Sequence, residues 1–414
     1  MDPSQDSLPP DVLSVSQHRT LNTPLLPGLK TFTCREATAV FIPFIPLFLS
    51  PRTTVIDIGF AGSSPALMVA SMIDTFSTLC PNLLEITLRR SPINQAITAA
   101  VSNMLLACNP DALRKFEVDS LLTAAAYEVL YRLPNLRKLL TIFLGDSLLP
   151  LVLLPNLIRM QMTYLRGHEW LRRLPGATLN KLTSIFFRTT SRQVGDFLEA
   201  FEGFALATSI STRLLAFGFY SLHPWNPNYS SLLGFKQLTE LIILTPCHIG
   251  CSSAIDDDIV ISLARAMPKL KALVLGSDPC QIPSGATVKG LVELACHCID
   301  LSTLRVHIRM DSLVQVAVGD IVTLPSTAEP AASRVECALT TLEVGNMSIQ
   351  EGSALTVALA LLHIFPCISQ IKYTNPHWRD VQNTITLSER LSNRIGVLAR
   401  SSSKAYPQHL RVTY

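Results

Sequence analysis

Cys80-Pro81-Asn82-Leu83-Leu84-Glu85-Ile86-Thr87-Leu88 is a phrase that the rest of the chain repeats. A helix-breaking proline comes first and an anchoring leucine follows; apolar Ile86 and Leu88 then alternate with Glu85 and Thr87. Alternation of period two belongs to a strand with one buried face. The phrase returns as Leu133-Pro134-Asn135-Leu136, Leu154-Pro155-Asn156-Leu157 and Met267-Pro268-Lys269-Leu270.

Looser copies extend in both directions. Val55-Ile56-Asp57-Ile58 predicts a strand, and Leu26-Pro27-Gly28-Leu29-Lys30-Thr31-Phe32 reads as the first copy. Further strands are expected after Leu113, Leu136, Leu157, Leu182, Leu238, Leu270, Leu301, Leu339 and Ile368, with a degenerate copy anchored near Leu214 and using Phe217 and Phe219. Between them, helical spacing predicts helices over residues 95–108, 193–207, 256–267, 287–298 and 350–365. Another opens at Ser64-Pro65, where serine suits the cap and proline has no amide to leave unpaired. Leu67, Ala70, Ile73, Asp74 and Phe76 follow at helical spacing, and Cys80-Pro81 ends it.

The cycle is therefore strand, loop, helix, proline, strand. One such unit cannot cover its own apolar face, but each neighbour covers the last. Anchors fall roughly 21 to 38 residues apart, close to the about 20–29 of a leucine-rich repeat. The expected fold class is α/β, a leucine-rich-repeat solenoid shaped as a right-handed horseshoe with parallel strands concave and helices convex. Residues 1–24 read as a flexible arm, 25–400 as the solenoid with a capping helix over 380–400, and 401–414 as a loose tail. The longest insertions, 223–229 and 320–334, read as loops.

Composition agrees with a large core. Of 414 residues 48% are hydrophobic and 16% charged, which argues against general disorder. A net charge of +3 gives no bulk attraction to nucleic acid or to an acidic membrane, so neither is expected as a partner. Apolar runs at 39–49 and 148–157 carry prolines and fall short of the about twenty residues that a spanning helix needs. Ten cysteines without an even framework, behind an acidic and polar start, point to the reducing cytosol or nucleus.

Several clusters invite a chemical reading. Cys247-His248 with Cys251, and Cys296-His297-Cys298, contain metal-ligand types, yet paired Cys-x-x-Cys knuckles are absent and Cys296 and Cys298 fall where a helix meets the next strand. Asp256, Asp257 and Asp258 could be a metal-binding run; a helix start, where negative charge favours the dipole, is the preferred reading. Gly59-Phe60-Ala61-Gly62-Ser63-Ser64 lies between strand and helix but lacks a phosphate-binding fingerprint, and Gly62 is read as serving the turn. No Gly-x-Ser-x-Gly elbow occurs, and His168, His223, His307 and His377 are dispersed. Trp225-Asn226-Pro227-Asn228-Tyr229 fits a binding loop or a packed turn. No catalytic residue, cofactor or metal ligand is predicted, and the chain is expected not to be an enzyme.

What remains is the set of side chains that alternate with the buried positions. Glu85, Arg89, Glu117, Arg159, Gln161, Arg188, Glu240, Arg305, His307, Glu343 and Lys372 are expected on the concave face, with Thr87, Lys115 and others among them. Mixed charge and several arginines suit a protein partner.

Some of these stretches carry a family resemblance. Phe41-Ile42-Pro43-Phe44-Ile45-Pro46-Leu47, Thr54-Val55-Ile56-Asp57-Ile58-Gly59-Phe60, Trp225 to Leu233 and Ala264-Arg265-Ala266-Met267-Pro268-Lys269-Leu270 resemble the leucine-rich-repeat proteins abundant in mushroom-forming fungi. The resemblance covers nearly everything from Leu25 onward. Many such proteins carry an N-terminal F-box, which docks on the Skp–cullin ubiquitin ligase while the repeats hold the substrate. The resemblance thus implies the substrate-recognition part of such a ligase. Leu8-Pro9-Pro10-Asp11-Val12-Leu13 has the wording that opens many F-boxes, but the first strand phrase follows too soon for the domain, so a recognisable F-box is missing. Truncation, or a repeat-only binding protein without a ligase link, accounts for this.

Overall fold

In the computed structural model, which describes residues 24–143, 154–164, 181–189, 212–219, 229–244, 255–276, 285–309, 337–345 and 347–403, strands alternate with helices and pair only in parallel. The chain divides into two compact units, Met1–Trp170 with Ala177–Leu182, and Leu171–Gly176 with Thr183–Tyr414.

The first unit holds β1 (Thr31–Ala37), β2 (Val55–Phe60), β3 (Glu85–Arg89), β4 (Lys115–Val118), β5 (Lys138–Phe143) and β6 (Arg159–Tyr164), each parallel to the one before. Its helices are α1 (Ala66–Leu79), α2 (Gln95–Ala107) and α3 (Ala124–Tyr131), preceded by a 3-10 segment, Ile42–Phe48. The second unit runs β7 (Ser184–Thr189), β8 (Leu214–Phe219), β9 (Glu240–Leu244), β10 (Ala272–Leu275), β11 (Thr303–Arg305), β12 (Thr341–Gly345) and β13 (Gln370–Tyr373), again parallel in order. Its helices are α4 (Asp257–Ala266), α5 (Val288–His297), α6 (Ala354–Ile364) and α7 (Trp378–Ser403).

Register turns the alternating sequence into layers. Phe32, Ile56, Ile86, Phe116, Leu139 and Met160 are cross-strand partners, and all are buried. Ile185, Leu215, Leu241, Leu273, Leu304, Leu342 and Ile371 form the matching layer of the second unit. The anchors Leu83, Leu113, Leu136, Leu157, Leu182, Leu238, Leu270, Leu301 and Leu339 lie beneath them at 0% exposure, each contributing roughly 2 kcal/mol of apolar burial.

Just before each strand a single carbonyl ties neighbouring copies together. The amides of Arg114 and Lys115 both donate to the Leu84 carbonyl, those of Arg137 and Lys138 to Arg114, and those of Ile158 and Arg159 to Arg137. The same joint recurs in the second unit, from the Arg213 and Leu214 amides on Thr183 through to those of Ser369 and Gln370 on Thr340. At five joints among the described residues a hydroxyl also donates to that carbonyl: Thr54, Thr239, Ser302, Thr340 and Ser369 reach back 24, 26, 31, 38 and 29 residues.

The last strand has its own cover. The Gln382 side chain accepts the Ile371 amide and donates to the Ser369 carbonyl at 3.0 Å, standing where another strand's backbone would bond. Trp378, fully buried, donates through its indole nitrogen to the Met347 carbonyl at 2.8 Å.

Three expectations need correction. The degenerate copy is anchored at buried Thr212, not Leu214: Leu215 and Phe217 enter the core and Leu214 stays partly exposed. A threonine at the anchor hides the phrase, and the next leucine shifts the reading. Ser64 does not cap α1; Pro65 holds the cap position while the Ser64 hydroxyl donates to the Ala37 carbonyl at 3.1 Å. Leu67 is 75% exposed, and Val69, Met72, Ile73 and Phe76 form the inner face of α1. The position that requires glycine is Gly59, inside β2, where a Cβ would fall 2.3 Å from the Arg35 carbonyl oxygen of β1, whereas a Cβ at Gly62, in the turn, would face open space.

The expected arm up to residue 23, the helix at 193–207, the loops at 223–228 and 320–334, and the tail from 404 lie outside the described residues. Among the described residues no helix is long and apolar enough to cross a membrane.

Candidate protein interface

The strand face turned away from the core displays the side chains that alternate with the buried layers. In the first unit two rows follow from the register. Val55, Glu85, Lys115, Lys138 and Arg159 form one; Asp57, Thr87, Glu117, Leu140 and Gln161 form the other. Arg89 reaches back to donate to Asp57 at 3.3 Å. Lys115 and Glu117, on one strand, approach to 3.2 Å with side chains that are 18% exposed. Exposed pairs of this kind contribute at most about 1 kcal/mol each, so they shape the surface more than they hold the fold.

In the second unit the charges gather on the last strands. Glu343 sits between Lys372 at 2.7 Å and Arg305 at 3.9 Å, a three-strand cluster. Glu240 lies in register with Leu214 and Ala272. The Arg188 guanidinium stands 5.6 Å from the Phe186 ring centre, within cation–π range. Two side chains expected on this face are enclosed instead: Thr87 is 1% exposed, and His307 is 5% exposed with its ring against Gly276.

The acidic run at α4 does two jobs. Asp256 caps the helix, accepting the Ile259 amide at 3.0 Å. Asp257 reaches the start of α5, accepting the Thr287 amide at 2.7 Å, its hydroxyl at 2.6 Å and the Gly290 amide at 3.1 Å. One carboxylate therefore serves the dipole of its own helix and of the next. This contact between helices is invisible to a reading that asks only what the run does locally.

The cysteine–histidine stretch is divided by its position. Cys296 is exposed on α5, while Cys298 ends the helix and directs its thiol at the carbonyls of Ala264 and Met267. Burial, and secondarily the neighbouring Cys337, pushes the Cys298 thiol up to about 12, so it stays protonated and behaves as a small core residue. His297 turns to Glu293 at 3.2 Å. Among the described residues no three His, Cys, Asp or Glu side chains are grouped to hold a metal. Cys247, His248, Cys251, His168, His223 and Trp225 lie outside the described residues. In the 59–64 turn the Ala61 amide and the Ser64 hydroxyl both donate to Ala37, so those donors serve the fold.

Lys138 belongs on this face and was passed over in the sequence, although it stands two residues after its anchor, as Glu85, Lys115 and Arg159 do. That fixed offset from the leucine is the signal that finds it. Strand order, which only the fold supplies, is what places it between Lys115 and Arg159. No known protein family matches the chain, and no curated protein matches it.

Proposed function

We propose that the chain is a non-catalytic protein-recognition module of leucine-rich-repeat type, curved as a right-handed solenoid, which binds a protein on its open strand face. The observation that carries this reading is the display of charged and polar side chains in cross-strand rows on a face that, among the described residues, no strand covers. Side chains fixed by register present a constant pattern at little entropic cost, which favours specific association. The family resemblance makes the substrate-recognition part of an F-box type ubiquitin ligase, in cytoplasm or nucleus, the leading role. A second reading, a repeat-only scaffold or binding protein, draws on the same rows, which need no ligase to be functional.

Co-purification separates the two. Tagged protein should bring down the Skp adaptor and a cullin in the first case; their clean absence leaves only the second. Reversing Arg159, Arg188 and Arg305 together should abolish capture of the physiological partner while leaving cooperative melting intact. Partner capture that survives the triple change removes this face from consideration.

A further inference from the structure

Three cations stand in direct register on neighbouring strands of the first unit: Lys115 opposite Lys138, and Lys138 opposite Arg159. Parallel strands lie about 4.8 Å apart, so the three backbone positions span about 10 Å. One residue earlier, exposed Arg114 and Arg137 are joined by the amide–carbonyl bond of the joint. Five positive charges thus share the leading edges of β4, β5 and β6.

Only Lys115, among the described residues, has local compensation, from Glu117 at 3.2 Å and from Glu85 beside it in register. Among the described residues, Arg114, Arg137, Lys138 and Arg159 form no ion pair. Like charges directly opposite on adjacent strands destabilise a sheet, and the spacing lies inside the Debye length of about 8 Å at physiological ionic strength, so salt does not remove the repulsion. The corresponding row of the second unit reads Ser184, Leu214, Glu240, Ala272, Thr303, Thr341 and Gln370, with no such ladder. The cost is therefore not inherent in the architecture.

We infer that this ladder binds an acidic protein segment carrying two or three carboxylates within about 10 Å. The inference rests on the reading of the strand face as a protein-binding surface and names the chemistry of the partner there. Its borders favour a short acidic segment over a nucleic acid. Glu85, Glu117 and Asp57 flank it on one side and would repel a phosphate backbone continuing along the sheet. Leu140, beside Lys138, and Ile158, 40% exposed beside Arg159, offer apolar contact that a side chain between carboxylates can use.

The test uses the full chain and a fluorescein-labelled peptide of six glutamates and one leucine, followed by fluorescence anisotropy. The wild type should bind, with affinity falling severalfold from 50 to 300 mM salt, roughly as expected when a few cation contacts are screened. Lys138→Glu with Arg159→Glu should weaken binding at least tenfold, while Lys289→Glu with Arg379→Glu, exposed on α5 and α7, should change it less than twofold. Lys138→Glu alone should raise the melting temperature by about 1–2 °C, because signs then alternate along the row. The inference is overturned by absence of peptide binding, by equal losses in the two double variants, by a fall in melting temperature on Lys138→Glu, or by tighter binding of a labelled oligothymidylate than of the peptide. Retention of the cellular partner by the Arg159, Arg188, Arg305 reversal, with peptide binding still dependent on Lys138, would sink the wider reading and leave the ladder. Loss of that partner with no peptide binding would do the reverse.

Discussion

Asp257 accepts three hydrogen bonds from the first turn of the following helix, and Gly290 is the residue that lets it do so. A Cβ at Gly290 would meet the Asp257 carboxylate oxygen at 2.8 Å and Val260 at 3.2 Å. Glycine inside a helix ordinarily costs up to about 1 kcal/mol relative to alanine, so Gly290→Ala should stabilise by propensity and destabilise by collision. We expect the collision to win by about 1–2 kcal/mol, since the carboxylate is held by its three partners. Asp257→Ala should cost about 1–2 kcal/mol by releasing those donors. In the double variant the shortest contact, with the carboxylate, is gone and only that with Val260 remains, so the two losses should not add; urea midpoints of the four proteins would reveal the coupling. Strict additivity would mean that residues 257 and 290 do not share one constraint. The sequence announced three aspartates at a helix start, and all three stand there, Asp256 as the cap and Asp257 and Asp258 in the first turn. The reach of Asp257 depended on a helix 30 residues away, which no local pattern reports.

Among the elements, the strands were the most legible. An anchoring leucine with apolar residues three and five positions after it identifies β3, β4 and β9 to β12, because each anchor must be buried whatever its neighbours are. The reading failed where that logic was broken, at Thr212, whose polarity conceals a fully buried anchor. It also said little of α3, whose alanines give no amphipathic contrast although Tyr127 and Tyr131 are buried. At the last element a side chain takes over the work of a strand. Gln382→Leu should leave the Ile371 amide and the Ser369 carbonyl without their partner, costing about 1–3 kcal/mol. A bared edge of parallel strand also invites pairing between molecules. Light scattering of the variant should rise with protein concentration while the wild type stays level; identical curves would mean that other parts of α7 cover the edge unaided.

Across the whole molecule, alkaline pH tests the core without mutation. Burial raises Cys80 and Cys108 from 9.0 to about 11, with Cys80 adding to the shift at Cys108, and Cys298 to about 12; Tyr127 rises from 10.0 to about 12, again through burial first. Each group is neutral when protonated, and its folded value lies above its unfolded one. The stability it contributes is therefore complete below pH 9 and is lost as the pH climbs from about 9 toward 11–12, where the unfolded chain ionises and the folded one does not. Guanidinium midpoints should hold level between pH 7 and 8.5 and fall steadily above 9. A midpoint unchanged at pH 10.5 would contradict the burial of these thiols. The α/β alternation and the burial layers could be read from the chain because they repeat. The cation ladder could not, since its members become neighbours only once β4, β5 and β6 are set in order.

The carbonyl joint before each strand has a consequence for how such a chain can change. It is made of backbone, so it does not depend on which residue occupies the position, and the spans it closes run from 21 (the Ile158 amide on Arg137) to 38 residues (the Thr340 amide on Ser302). A gene that duplicated or dropped one whole copy would present the same acceptor to the same pair of amides. Length is thus nearly neutral in this architecture, and the face can be widened or shortened by recombination while each surviving row keeps its register.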